Sequence, residues 1–350
     1  MQTAKPILTK VVIVAVLGVM IATAAVIATV SNSSEDGGVL LSPMRDDITY
    51  DPSPWDRSHG NILSADNSLN PESFLKEFNY GRVSALPDGT TLREFTLVAQ
   101  DVELEVAPGV YFNAWTYNGT IPGPTIRATE GDKVRVTFIN QGSHPHTIHF
   151  HGIHAGDMDG VLEWVYPGGR FVYEFTAEPF GVFLYHCHVS PIEEHINRGL
   201  YGAYIVDPQT PRSPATEMVM LLNGYDTDFD TENNFYTVNG VAFYYMHHPI
   251  EIKTGEPVRI YLINMLEFDI INNFHLHGNV FKYYRTGTSL TNYELTDMIT
   301  MSQAERGVLE FTYKYPGMYM FHAHKIEFAD KGWNGFFKVV EGETTNGGLT

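Results

Sequence analysis

Fifteen histidines in 350 residues are the chain's most distinctive chemical resource, and most of them fall in four short clusters. A His-x-His pair occurs four times, as His149/His151, His186/His188, His275/His277 and His322/His324. Side chains on a strand alternate between its faces, so such a pair presents both imidazoles on one side, where both can reach one metal cluster. An isolated histidine is most often a satisfied polar or surface group. Four matched pairs in one chain point instead to metal coordination.

The single cysteine, Cys187, lies between His186 and His188, so on a strand its sulfur faces away from both rings. One strand then serves two metal sites, with a short covalent path between them. A lone cysteine with no partner is usually an inert small hydrophobe. Here His146, five residues before His151, and His195, eight after Cys187, complete the His₂Cys set of a blue-copper electron-transfer site. His144 competes with His146 for that place, and the five-residue step to His151 favours His146. His154 reads as a supporting or surface residue, and His59, His247 and His248 are unassigned.

These side chains need a rigid frame. At 43% hydrophobic and 18% charged, the chain can bury real cores, and its length suits two or three domains. The 31 Gly, 19 Pro, 20 Tyr and 21 Phe favour turn-rich β architecture. A net charge of −19 argues against nucleic acid, whose phosphates require clustered Lys or Arg. One cysteine rules out an intrachain disulfide framework.

Residues 11–30 are uncharged and follow Lys5 and Lys10, with Glu35 and Asp36 beyond. Twenty helical residues span roughly 30 Å, the thickness of a bilayer core, so residues 1–30 read as a membrane anchor, or else a signal sequence, with the rest of the chain outside the cytoplasmic membrane. Residues 31–75 read as a polar tether and irregular arm.

From Thr91 onward, short runs such as Arg93–Val98, Lys133–Asn140 and Phe171–Phe175 are broken by Gly and Pro, the pattern of an antiparallel sandwich. The series is repeated. Asn118-Gly119 is echoed by Asn239-Gly240, His149-Phe150-His151-Gly152 by His275-Leu276-His277-Gly278, and the segment ending at His188 by that ending at His324. The chain is therefore an internal duplication, with domains over 76–207 and 216–341, a linker over 208–215 and a tail over 342–350.

With these motifs in view, the chain resembles the two-domain multicopper oxidases, small laccase-like members of the cupredoxin superfamily related to the copper nitrite reductases. The match spans about residues 90–341. The resemblance implies two tandem Greek-key β-sandwiches and four coppers per chain. Type 1 copper falls to His146, Cys187 and His195; type 2 to His149 and His275; the type 3 pair to His151, His186, His188, His277, His322 and His324. It also implies dioxygen as electron acceptor, a small reductant or electron-donor protein, and a homotrimer in which neighbouring subunits complete the trinuclear cluster. Leu200 stands where many members have an axial methionine, and a non-coordinating axial residue raises a blue-copper potential. Ala323 replaces the cysteine in the second half, so only the first can hold type 1 copper.

Family members deliver protons through a carboxylate near the cluster, and Asp159, with Glu327 behind it, is the expectation here. Glu193 and Glu194, directly before His195, could favour cationic reductants. The rival activity is nitrite reduction. Such enzymes place an aspartate where this chain has His149, and lack the full histidine set.

Overall fold

The computed structural model describes residues 69–342. The apolar segment 11–30, the tether as far as residue 68, His59 and the tail from residue 343 lie outside the described residues. Among the described residues no helix is long and apolar enough to cross a membrane.

The first half contains β1 (Arg82–Ala85), β2 (Thr91–Ala107), β3 (Val110–Tyr117), β4 (Gly123–Thr129), β5 (Lys133–Asn140), β6 (His149–Phe150), β7 (Arg170–Thr176), β8 (Gly181–His186) and β9 (Tyr201–Asp207). The second contains β10 (Thr216–Tyr225), β11 (Phe235–Val238), β12 (Ile250–Lys253), β13 (Val258–Asn264), β14 (Ile271–Leu276), β15 (Phe281–Arg285), β16 (Glu294–Thr296), β17 (Met298–Ser302), β18 (Arg306–Phe311), β19 (Gly317–His322) and β20 (Asn334–Val340). The alternation of β5 shows why these segments are strands: Val134, Val136 and Phe138 point inward while Lys133 and Arg135 face out.

Each half is a sandwich of two sheets. The first has β1-β2-β5-β7, with β3 on β2, facing β4-β9-β8-β6; the second has β11-β10-β13-β18-β15-β16 facing β12-β20-β19-β14-β17. The sheets are mixed, which corrects the expectation of a purely antiparallel sandwich. β2 runs parallel to β5 and β4 to β9, and the second half repeats this with β10 on β13 and β12 on β20. Strands far apart in sequence meet in these pairs after crossing between sheets, and alternation within one strand carries no information about its neighbour's direction.

A core fills each sandwich, and a third cluster joins the halves, bringing Phe112, Val182, Leu184 and Tyr201 against Val219, Leu221, Tyr261 and Val308. β13 is accordingly buried on both faces. The seam is also ionic. Arg127 binds Asp207 at 2.7 and 2.8 Å and Glu217 at 2.7 and 3.1 Å, and Arg259 links Glu217 to Glu310 at 3.0 and 2.7 Å.

The end of the expected irregular arm is ordered. Helix α1 (Pro71–Lys76) begins at Asn70, whose side chain accepts the Ser73 amide at 3.0 Å, with Pro71 in the first turn. Its Leu75 is fully buried in the core of the second half, and the Tyr245 hydroxyl donates to the Pro71 carbonyl at 2.8 Å. The chain thus enters the fold before residue 76.

Candidate metal centres

Two helices follow the histidine strands. α2 (Ile192–Asn197) carries His195 back over Cys187; α3 (Tyr244–His247) is remote in sequence from the pairs, and α4 (Ile326–Asp330) is the second half's counterpart of α2. Beneath α2, the Cys187 sulfur lies 3.2 Å from His195 Nδ1 and 3.9 Å from His146 Nδ1, with 3.3 Å between the two nitrogens. All three residues are buried. Three buried donors therefore converge on one space, with the chemistry that suits copper. Burial, then the neighbouring His195 and His144, pulls the His146 pKa down to about 3, and burial holds His195 at about 4 despite Glu194. Both imidazoles are neutral near pH 7, as ligands must be. Burial raises the Cys187 thiol, so metal binding there must displace its proton.

The cysteine is tied to its surroundings by the Thr147 amide, which donates to Sγ at 3.4 Å, while Thr147 Oγ1 accepts the His188 amide at 3.0 Å. Leu200 is fully buried, its carbonyl accepting the Cys187 amide at 3.0 Å and its amide donating to His195 at 3.2 Å. It brings only carbon to this space.

The second centre is built twice. Antiparallel pairing of β6 with β8 sets His149 opposite His186, and pairing of β14 with β19 sets His275 opposite His322. His151 Nε2 lies 3.2 Å from His186 Nε2, and His277 Nε2 lies 3.0 Å from His322 Nε2. Backbone carbonyls fix the tautomers. His186 Nδ1 donates to the Cys187 carbonyl at 2.8 Å, His322 Nδ1 to Ala323 at 2.7 Å, His149 Nδ1 to Asp159 at 2.7 Å and His275 Nδ1 to Asp297 at 2.9 Å. A carbonyl has no proton to give, so each Nδ1 keeps its own and each Nε2 offers a lone pair. Burial lowers the pKa of His151 to about 3 and of His186 to about 4, and lowers those of His149, His277 and His322. The residues fit copper.

His188 and His324 lie outside the two convergent trios, although their rings are 5.4 Å from those of His149 and His275 respectively. Among the described residues, no group of three or more convergent donors draws histidines from both halves.

Of the carboxylates expected from sequence, Asp159 lies beside the first histidine set, with Oδ1 3.2 Å from His149 Nδ1 and 3.7 Å from His154 Nε2. Glu327 is held elsewhere, by Lys331 at 3.0 Å and Lys325 at 3.4 Å, and those partners, Lys331 foremost, keep its pKa below the usual value. The second half's true counterpart of Asp159 is Asp297, beside His275. No local motif marks Asp297; pairing of β14 with β17 brings it in, with His275 opposite Met298. Trp115 was equally illegible, although its indole packs on both His146 and His195.

Comparison with known proteins follows this geometry closely. Two family models, both described as multicopper oxidase, match residues 99–211 and 209–343. A solved crystal structure of a multicopper oxidase is 55% identical, with a TM-score of 0.77 over 78% of this chain and 97% of that one. The copper nitrite reductase from Nitrosomonas europaea is 27% identical, with a TM-score of 0.66 over 71% of this chain and 94% of that one. The copper-containing nitrite reductase of Neisseria meningitidis serogroup A is 29% identical over 69% of this chain and 67% of its own length. The chain spans about two thirds of the length of such curated relatives.

Proposed function

The chain belongs to the multicopper oxidase family and is a copper-dependent oxidoreductase, and on that premise we propose that it couples one-electron oxidation of a reductant to four-electron reduction of dioxygen to water. His146, Cys187 and His195, with Leu200 as the axial neighbour, would hold type 1 copper. His149 and His275 would hold type 2, and His151, His186, His188, His277, His322 and His324 the type 3 pair. Bound copper supplies the one-electron redox chemistry, four ions per chain.

The observation that carries this reading is the duplicated histidine set: facing Nε2 atoms at 3.2 Å in one half and 3.0 Å in the other, each with its tautomer fixed by a backbone carbonyl. A nitrite reductase would use only part of that set and would need a carboxylate at position 149. Because the two half-sets do not combine among the described residues of one chain, they would meet across a subunit boundary, which favours a homotrimer closed by a repeated heterologous contact. Exposed Leu162, Trp164 and Tyr166, shortly after Asp159 in sequence, and Ile270 and Ile326, flanking His275 and His324 in sequence, suit such burial.

The protein's own atoms supply the connections. Cys187 is bonded through backbone to His186 and His188, giving electrons a covalent route between the centres. Asp159 and Asp297, which accept from His149 and His275 through their carbonyls, would carry protons. Residues 1–30 would anchor or export the chain, placing the body outside the cytoplasmic membrane.

Copper per chain, with oxygen uptake, tests the proposal. Near four copper ions and uptake driven by phenols, amines or low-valent metal ions support it. Near two, with nitrite consumed instead, would replace it by nitrite reduction, and near one would leave an electron carrier.

A further inference from the structure

His146 is 0% exposed and His195 4%, so most of both rings is covered and at most an edge of His195 meets solvent. What covers them is Trp115, itself 8% exposed, with its indole centroid 4.7 Å from that of His195 and 5.5 Å from that of His146. The same indole meets the exposed ring of His144 at 4.5 Å and the Arg198 guanidinium at 4.6 Å. Arg198 lies in turn 4.3 Å from the ring of Phe229, which is 51% exposed and supplied by the second half. Backbone fixes the arrangement, the Trp115 amide donating to the Arg198 carbonyl at 3.0 Å.

We propose that Trp115 is the contact through which electrons pass from a reductant resting on His144, Arg198 and Phe229 to the copper at Cys187; this rests on the reading of that site as type 1 copper. Electron transfer probability falls steeply with the width of the gap, and a π system packed on both ligand rings narrows it. One electron leaves the reductant and one cupric ion becomes cuprous. No bond forms or breaks, and any proton the reductant sheds goes to solvent.

The second half provides an internal control. Tyr236 holds Trp115's place there, stacked on Phe328 at 3.8 Å and with its amide donating to the Lys331 carbonyl at 3.0 Å, but it covers no donor set.

Copper-loaded Trp115→Leu, Trp115→Phe and Tyr236→Leu are compared with the parent by timing the bleaching of the blue absorption by hydroquinone without oxygen, together with the reduction potential. Trp115→Leu is expected to keep colour and potential and to bleach about tenfold more slowly. Trp115→Phe should recover most of the rate, and Tyr236→Leu should match the parent. An unchanged or faster rate in Trp115→Leu, or equal slowing in Tyr236→Leu, overturns the proposal. A second measurement avoids the large truncation: one equivalent of cupric ion added to the metal-free parent should quench part of the fluorescence of its four tryptophans, and Trp115→Phe should be quenched clearly less; if parent and variant are quenched equally, the indole is not the contact. A parent with no blue colour removes the type 1 reading itself, an outcome separate from all of these.

Discussion

The two halves share one scaffold and differ at its centre. In the first, Cys187 donates its amide to Leu200, and Leu200 donates to His195; in the second, Ala323 donates to Trp333, and Trp333 donates to Phe328. Gly199 and Gly332, one residue earlier, have φ of 116° and 119°, in the left-handed half of the map that only glycine tolerates well. The correspondence assigns Asn272, Ala323, Phe328 and Trp333 to the places of His146, Cys187, His195 and Leu200. The Trp333 indole donates to Asn272 Oδ1 at 3.0 Å and is fully buried. A duplicated fold therefore keeps a donor pocket only where donors are used, and otherwise fills the space with carbon and one internal hydrogen bond. The His-x-His pairs, by contrast, are retained in both copies, as the proposed cluster would require of each half.

The sharpest way to break this comparison is to exchange its key residues. Cys187→Ala should abolish the blue absorption, remove one copper per chain and slow reductant oxidation by roughly a thousandfold or more. Ala323→Cys should create no second blue centre, because Asn272 and Phe328 offer no imidazole and Trp333 occupies the space. Absorption spectra and copper analysis of the two variants decide it, and a second blue centre would show that the pocket was never closed.

If Trp333 fills a vacated pocket, its removal must leave a void. Trp333→Ala is expected to destabilise the fold by about 3–5 kcal/mol, measured by denaturant unfolding, while sparing the blue site. The seam between the halves predicts a pH effect of similar size. Burial opposes ionisation of Glu217, but hydrogen bonds from Arg127 and Tyr261 outweigh it and hold its pKa at about 2 against an ordinary 4.5. A pKa depressed in the folded state contributes stability above pH 4.5 that is lost as pH falls towards 2. The loss should be about 3 kcal/mol, and Glu217→Gln should flatten that part of the stability profile. A profile unchanged by the substitution would remove the seam's role.

The histidine pairs were legible because a spacing of two keeps neighbouring rings on one side, although each pair straddles the end of its strand, and Cys187 because it is unique. The duplication was legible too, through Asn-Gly, His-x-His-Gly and the strands that end in His-x-His. What could not be read is what tertiary pairing supplies. Asp297 is far along the chain from His275 and arrives through β14 and β17. The parallel strand pairs are joined by crossovers, and Leu75 packs in the half that begins some 140 residues later, although Asn70-Pro71 was a local helix start. Glu327 is paired with Lys325 and Lys331, partners that its place in the sequence does not announce. The carboxylates thus yield a smaller test of the symmetry. Asp159→Asn and Asp297→Asn should each slow turnover by about 10–100-fold, whereas Glu327→Gln, an exposed change, should alter it little in the same oxygen-uptake assay.

The finest distinction lies between Leu200 and Trp333, which hold one backbone position for opposite ends. Trp333 fills the space, while Leu200 would border the proposed type 1 copper and offer it no ligand. Leu200→Met conserves volume, so its effect on unfolding should stay below about 1.5 kcal/mol. The thioether would introduce a soft donor on the axial side of the Cys187 site, and a weak axial sulfur lowers a blue-copper potential relative to a hydrocarbon. The expected result is a lower potential at nearly constant stability, read by redox titration of the blue band. An unchanged potential would mean that Leu200 serves only to fill space, as its counterpart does, and that the two halves differ at this position in donors alone.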